Sequence, residues 1–174
     1  MAENSQFTYK MPNQEEFDFI DAIILQKASP EEALRKLDII ANGHIDTLRQ
    51  LTKSIQDARL GKDNEGIKKS LKEFDDCLEK YIPVLMSQAK IYWDKENYSM
   101  VEKLFRQSAE FCADHDVWKL NVAHVFFVLE RYNEAIRYYE PIVKKNYDNM
   151  LSLTAIVVAN LCVSYIMVNK NEEA

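Results

Sequence analysis

Apolar residues recur along this chain at helical spacing, three or four apart, almost from one end to the other. Phe17, Ile20 and Ile24 fall on one face of a first predicted helix, with Ala22, Ile23 and Leu25 filling in. Ser29, Pro30 and Glu32 then read as a capping box that opens a second helix through Ala33, Leu34, Leu37, Ile40 and Ala41. Asn42 and Gly43 predict its end, with Gly43 in a left-handed cap. A third helix over 45–60 carries Leu48, Leu51, Ile55 and Ala58, and a turn follows at 61–64. The fourth carries Ile67, Leu71, Phe74, Leu78 and Tyr81. Its other face is charged (Lys68, Lys69, Lys72, Glu73, Asp75, Asp76, Glu79, Lys80) and reads as a solvated surface. Pro83 is placed to open the next helix, over 84–94.

Beyond that point two blocks superpose at a spacing of 34 residues. Tyr98 and Val101 match Tyr132 and Ala135, and an aromatic follows each block, Phe105 and Tyr139. Tyr92 and Ala89 precede the first Tyr as Phe126 and Ala123 precede the second. This is the pattern of a tetratricopeptide repeat, two antiparallel helices that bury their apolar faces only by stacking on neighbours. A third copy begins near Met150, shifted to 39 residues by a longer linker, and the chain ends as its second helix starts. Run backwards, the same register aligns Ala33, Ile67, Val101 and Ala135. The reading is an all-α tetratricopeptide-repeat α-solenoid of about four repeats plus the first helix of another. Residues 1–13 are a tail or severed connector, 14–82 degenerate repeats and 83–174 clear repeats, the last truncated. The expected whole is a fragment of a longer protein.

Composition narrows the function classes. Hydrophobic residues make up 47% of 174, enough for a real core. Net charge is −6 with no Lys/Arg cluster, which argues against nucleic acid as a partner. Cys77, Cys112 and Cys162 are odd in number and widely spaced, so they read as buried thiols rather than a disulfide framework. The uncharged stretch 149–169 approaches a bilayer-spanning length, but Ser152, Thr154, Asn160, Cys162 and Ser164 interrupt it and it fits the repeat. It is read as a repeat helix, without membrane insertion.

No catalytic or cofactor constellation emerges. Cys112 and His115 lack the two further ligands a metal site needs, and Asp114 or Asp116 is expected to cap the helix that carries Trp118. Nothing orients Cys112 and His124 as a nucleophile pair. The chain is therefore read as non-enzymatic, with no metal and no cofactor. The informative surface is the concave face, lined by first-helix residues that avoid packing within the repeat. These are Met86, Lys90 and Trp93 in one repeat, and Leu120, His124, Phe127 and Val128 in the next. In the third they are Ala159, Val163, Ile166 and Met167. The stripe is mostly apolar and calls for an extended apolar segment of a protein partner. A generic cytosolic adaptor or co-chaperone that grips a C-terminal carboxylate would need Lys, Arg and Asn there, and only Lys90 is basic.

Several strings go beyond what helix packing demands: KASPEEA (27–33), LEKYIPVLM (78–86), AKIYW (89–93), HDVWKLNVAHV (115–125), YEPIVKK (139–145) and ANLCVSYIM (159–167). Over roughly 17–174 the chain resembles the tetratricopeptide repeat protein thirty, or fleer, family, a subunit of intraflagellar transport complex B. The resemblance implies a scaffold role in the cilium without catalytic activity. It implies complex-B partners, one of which threads an extended segment through the superhelix, and a link to axonemal tubulin polyglutamylation through cargo delivery. Family members are considerably longer than this chain.

Overall fold

The computed structural model describes residues 13–146, 154–170 and 172. Among them the chain is all-α, and seven helices follow one another: α1 (Gln14–Ala28), α2 (Pro30–Leu60), α3 (Asn64–Asp94), α4 (Tyr98–Cys112), α5 (Asp116–Val128), α6 (Tyr132–Lys145) and α7 (Ala155–Met167). Each packs on its sequence neighbours, and α1 also touches α3 as α5 touches α7. That contact order is a tetratricopeptide-like α-solenoid, with α1, α3, α5 and α7 on one side and α2, α4 and α6 on the other. The tail, the start of the third copy near Met150 and its end at Ala174 lie outside the described residues.

The repeat register is written in the backbone. Among the described residues Lys62, Glu96, Glu130 and Asn169 are the non-glycine residues at positive φ, near 54–61°. The first three are 34 apart and the fourth lies 39 further on, the same spacing and the same shift as the side-chain pattern. After each of them the next amide donates five residues back, Asp63 to Ala58, Asn97 to Tyr92, Arg131 to Phe126 and Lys170 to Tyr165, all at 2.9 Å. This is a Schellman closure of the preceding helix. None of the four sites is a glycine; the helix end expected at Leu60 and the turn after it are present, whereas Gly43 misled.

Two expected helix ends are absent. α2 runs straight through Asn42 and Gly43, and α3 runs straight through Pro83. The two form one long antiparallel hairpin, with Gln88 Nε2 donating to Asp38 Oδ1 at 2.5 Å and Lys95 Nζ to Glu31 Oε1 at 2.5 Å. A degenerate repeat's worth of sequence, 45–80, thus extends this hairpin. Pro83 lacks an amide and costs about 3 kcal/mol in a helix interior. It sits on the exposed side, while Tyr81, Ile82, Val84 and Leu85 around it are all buried, and their packing outweighs the break. Ser29 stands before α2 without a side-chain cap bond, and the capping box that does form is Asn13 with Glu16. His115, not Asp114 or Asp116, occupies the cap position of α5, and the Asp116 carboxylate takes Lys145 Nζ at 2.6 Å.

The core is continuous through α1–α5, and a second group unites α5, α6 and α7. Ala33, Ala123 and Ala135 are fully buried where helices cross. Trp118 donates Nε1–H to Ser108 Oγ at 2.8 Å and meets Phe105 and Tyr138 edge-on. On α1 the face that packs inward carries Phe19, Ala22 and Leu25, so Phe17, Ile20 and Ile24, expected to seed a core, are exposed. The charged face of α3 is exposed as expected.

A polar cluster ties α1 to the hairpin. Buried His44 places Nε2 2.9 Å from Glu15 Oε1, and Cys77 Sγ lies 3.8 Å from His44 Nδ1. Burial lowers the His44 pKa despite the Glu15 carboxylate, and it raises that of the Cys77 thiol. The sequence reading missed this group because its members are 29 and 33 residues apart.

Two predictions follow from this packing. A Cβ built on Gly43 meets nothing within 4 Å, so Gly43→Ala should stabilise the fold by about 0.5–1 kcal/mol; chemical denaturation reads this directly. His44 is favoured neutral in the folded state, so the unfolded chain takes up its proton first as pH falls through about 6.5. The melting temperature should therefore drop between pH 7.5 and 5.5, and drop less in His44→Gln.

Candidate binding cleft

Between α3, α5 and α7 lies a cleft of about 560 Å³ with α4 at its floor. It exists because first helices carry apolar residues on two faces. One face packs on the partner helix of the repeat, and the other faces the concave side. α3 contributes Met86, Ala89, Lys90 and Trp93, and α4 contributes Val101 and Phe105. α5 contributes Asn121, His124, Val125, Phe127 and Val128, and α7 contributes Ile156 and Asn160. Six of the eleven residues chosen from sequence therefore meet here: Met86, Lys90, Trp93, His124, Phe127 and Val128.

The other five do not line this cleft. Leu120 is half-buried against the α5–α7 core group. Ala159, Val163, Ile166 and Met167 lie on α7 at the positions 39 residues after Leu120, His124, Phe127 and Val128, and they are exposed. On α5 the corresponding side chains face Ile156 and Asn160 of the next first helix; on α7 no following first helix lies among the described residues. Asn121 and Asn160 were missed. They too are 39 apart, so the register that located the apolar positions also marks this polar pair.

The walls are apolar and the charges are spent. Lys90 Nζ lies 2.9 and 3.0 Å from the two carboxylate oxygens of Asp94, one turn along its own helix. Asn121 Nδ2 donates to the Val117 carbonyl at 2.8 Å. Trp93 is braced edge-on by Tyr98, and Phe127 by Tyr132. At the junction of α5, α6 and α7, Tyr139 Oη lies 2.5 Å from His124 Nδ1, and Asn160 Nδ2 donates to Tyr139 Oη at 3.1 Å. Burial lowers the His124 pKa and pushes that of Tyr139 up to about 12, so both are neutral at physiological pH.

This arrangement can hold an uncharged, apolar segment, and Lys90, the one cation of the lining, is already paired with Asp94. Cys112 is fully buried, its thiol pushed up to about 12 by burial, and no bond joins it to His124. Among the described residues no three His, Cys, Asp or Glu side chains converge as metal ligands. None of the described helices is long and apolar enough to cross a membrane.

Comparison with known proteins places the chain. The family model described as "Intraflagellar transport protein 70 C-terminal domain" matches residues 1–174. Intraflagellar transport protein 70A1 of Mus musculus is 62% identical over the whole of this chain, which covers 26% of that relative. Intraflagellar transport protein 70A of Homo sapiens is 61% identical with the same coverage, and that of Xenopus laevis is 58% identical with 27% of its length covered. The chain thus spans about a quarter of the length of these relatives. It belongs to the intraflagellar transport protein 70 family.

Proposed function

We propose that this chain is a non-enzymatic scaffold segment of the intraflagellar transport machinery, working in the cilium. Its cleft holds an extended apolar segment of a partner protein, a subunit of complex B. The role of the family in tubulin polyglutamylation is read as delivery of cargo, not as chemistry on this chain.

The observation that carries the reading is the cleft itself. Three successive first helices line it with apolar side chains, several of them only partly buried, and its one cation is paired within its own helix. A patch of this kind marks an interaction surface. The neutralised Lys90 also weighs against a carboxylate-gripping co-chaperone, which depends on free cations in the groove. Exposed Val163, Ile166 and Met167 on α7 extend the same apolar stripe and are proposed as part of the docking surface, with Ala159 beside them. Leu120 supports the surface from behind.

Aromatics in a desolvated centre carry most of an interface's energy. Phe127→Asp should cost at least about 2–4 kcal/mol of binding, enough to abolish co-purification with complex-B subunits expressed alongside the chain. Phe127 also packs against the core, so Val128→Asp is the control. Its side chain is 36% exposed and lines the cleft. It should lose binding with unchanged helicity by circular dichroism. Undiminished co-purification of Val128→Asp would show that partners dock elsewhere.

A further inference from the structure

The cleft has a polar feature that apolar packing does not require. His124 lies on α5, the middle of the three bordering helices, and joins Tyr139 of α6 and Asn160 of α7. Tyr139 is fully buried, so its hydroxyl proton needs an acceptor. Its oxygen already receives the Asn160 amide, and the acceptor within reach is His124 Nδ1, 2.5 Å away. A ring nitrogen that accepts carries no proton. In a neutral imidazole the proton then sits on Nε2. Desolvation keeps the ring neutral. Nε2 has no hydrogen-bond partner among the described residues, and it is not among their sealed, unsatisfied polar atoms. On that assignment His124, which lines the cleft, carries its N–H on Nε2.

We propose that His124 is a specificity-determining residue of the cleft, locked by Tyr139 and Asn160 as an Nε2–H donor to a backbone carbonyl of an uncharged extended segment. This rests on the docking reading above and deepens it. Several observations select that occupant. With Lys90 paired to Asp94, a charged side chain would enter without a counter-ion. Packed helix axes lie roughly 8–10 Å apart, and α3 and α5 stand further apart than a closely packed pair, so the three helices span at least about 20 Å. An extended chain rising about 3.3 Å per residue covers that in about six residues. Such a chain has carbonyls pointing sideways along its length with no helix of its own to satisfy them, whereas a docked helix has already used its carbonyls. A donor at the centre of the cleft therefore favours the extended form and sets its register, while Trp93, Phe127 and Val128 take its side chains.

The test has two arms. In the first, two-bond nitrogen–proton correlation spectra of the free chain identify the tautomer of His124. Asn160 Nδ2 also lies 3.4 Å from His124 Nδ1, so the expected result is a protonated Nε2 and a bare Nδ1, with the preference relaxed when both partners are lost in Tyr139→Phe with Asn160→Leu. A protonated Nδ1, which would need the Asn160 amide reversed, or the same spectrum in that double variant, would overturn the lock.

The second arm measures binding of acetylated, amidated 12-residue peptides tiled across the complex-B subunits. His124→Phe alone would strand the Tyr139 hydroxyl, so the informative variant is His124→Phe with Tyr139→Phe, which removes that pair at similar volume and leaves the half-buried Asn160 amide to turn to solvent. It should keep the wild-type melting temperature within a few degrees and bind the best peptide roughly ten-fold more weakly. His124→Gln, which returns a donor near Nε2, should recover part of the loss. Wild-type affinity in the double variant, with Val128→Asp still defective, would overturn the role of His124 and leave the docking reading intact. No peptide binding to the wild-type chain would overturn both.

Discussion

Close approach of helices at a set of small residues is the constraint on which this structure depends. Ala33, Ala123 and Ala135 are fully buried, and Ala89 nearly so, at the points where successive helices cross. A larger side chain at any of them would push two helices apart and open the core around Trp118, Val101 and Phe105. Because each helix packs on the next along the chain, no pair closes a core alone, and each first helix is left with a second face to spend. That second face is the cleft. Scaffold and proposed binding surface are therefore two sides of the same helices, and the surface needs no loop to form it.

The early part of the chain shows how packing overrides local signals. Gly43 and Pro83 are the residues most apt to end a helix, yet both lie inside one. The opposed faces of α2 and α3 bury Leu37, Leu48, Tyr81 and Leu85, and interrupting either helix would expose part of that surface. The turns that do form are closed by Lys62, Glu96, Glu130 and Asn169 in a left-handed conformation that non-glycine residues adopt at some cost. That cost recurs at each repeat and is tolerated because the Schellman bonds satisfy the helix ends.

How much was legible follows from these particulars. Periodicity identified the all-α class, the 34-residue register and the 39-residue shift, because they rest on spacing and the fold preserves spacing. The breaks at Gly43 and Pro83 were misread because propensity is local and the hairpin is not. The inward face of α1 was misassigned because its two apolar stripes, Phe17–Ile20–Ile24 and Phe19–Ala22–Leu25, are equally periodic, and only the position of α2 separates them. In the cleft, Met86, Lys90 and Trp93 of α3 and His124, Phe127 and Val128 of α5 were legible from register. The network of His124, Tyr139 and Asn160 was not, since its members belong to three helices and meet only after stacking. Likewise Glu15, His44 and Cys77 form a group that no sequence spacing announces.

The central claim is that the concave cleft is where this chain holds its partner. Hydrogen–deuterium exchange of the chain alone and with a co-purified complex-B subunit addresses it directly. Added protection should fall on the cleft-facing stretches of α3, α5 and α7, around Trp93, His124 to Val128, and Ile156 to Asn160. The charged outer face of α3 between Lys68 and Lys80 should exchange as before. Protection on that outer face with the cleft unchanged would contradict it.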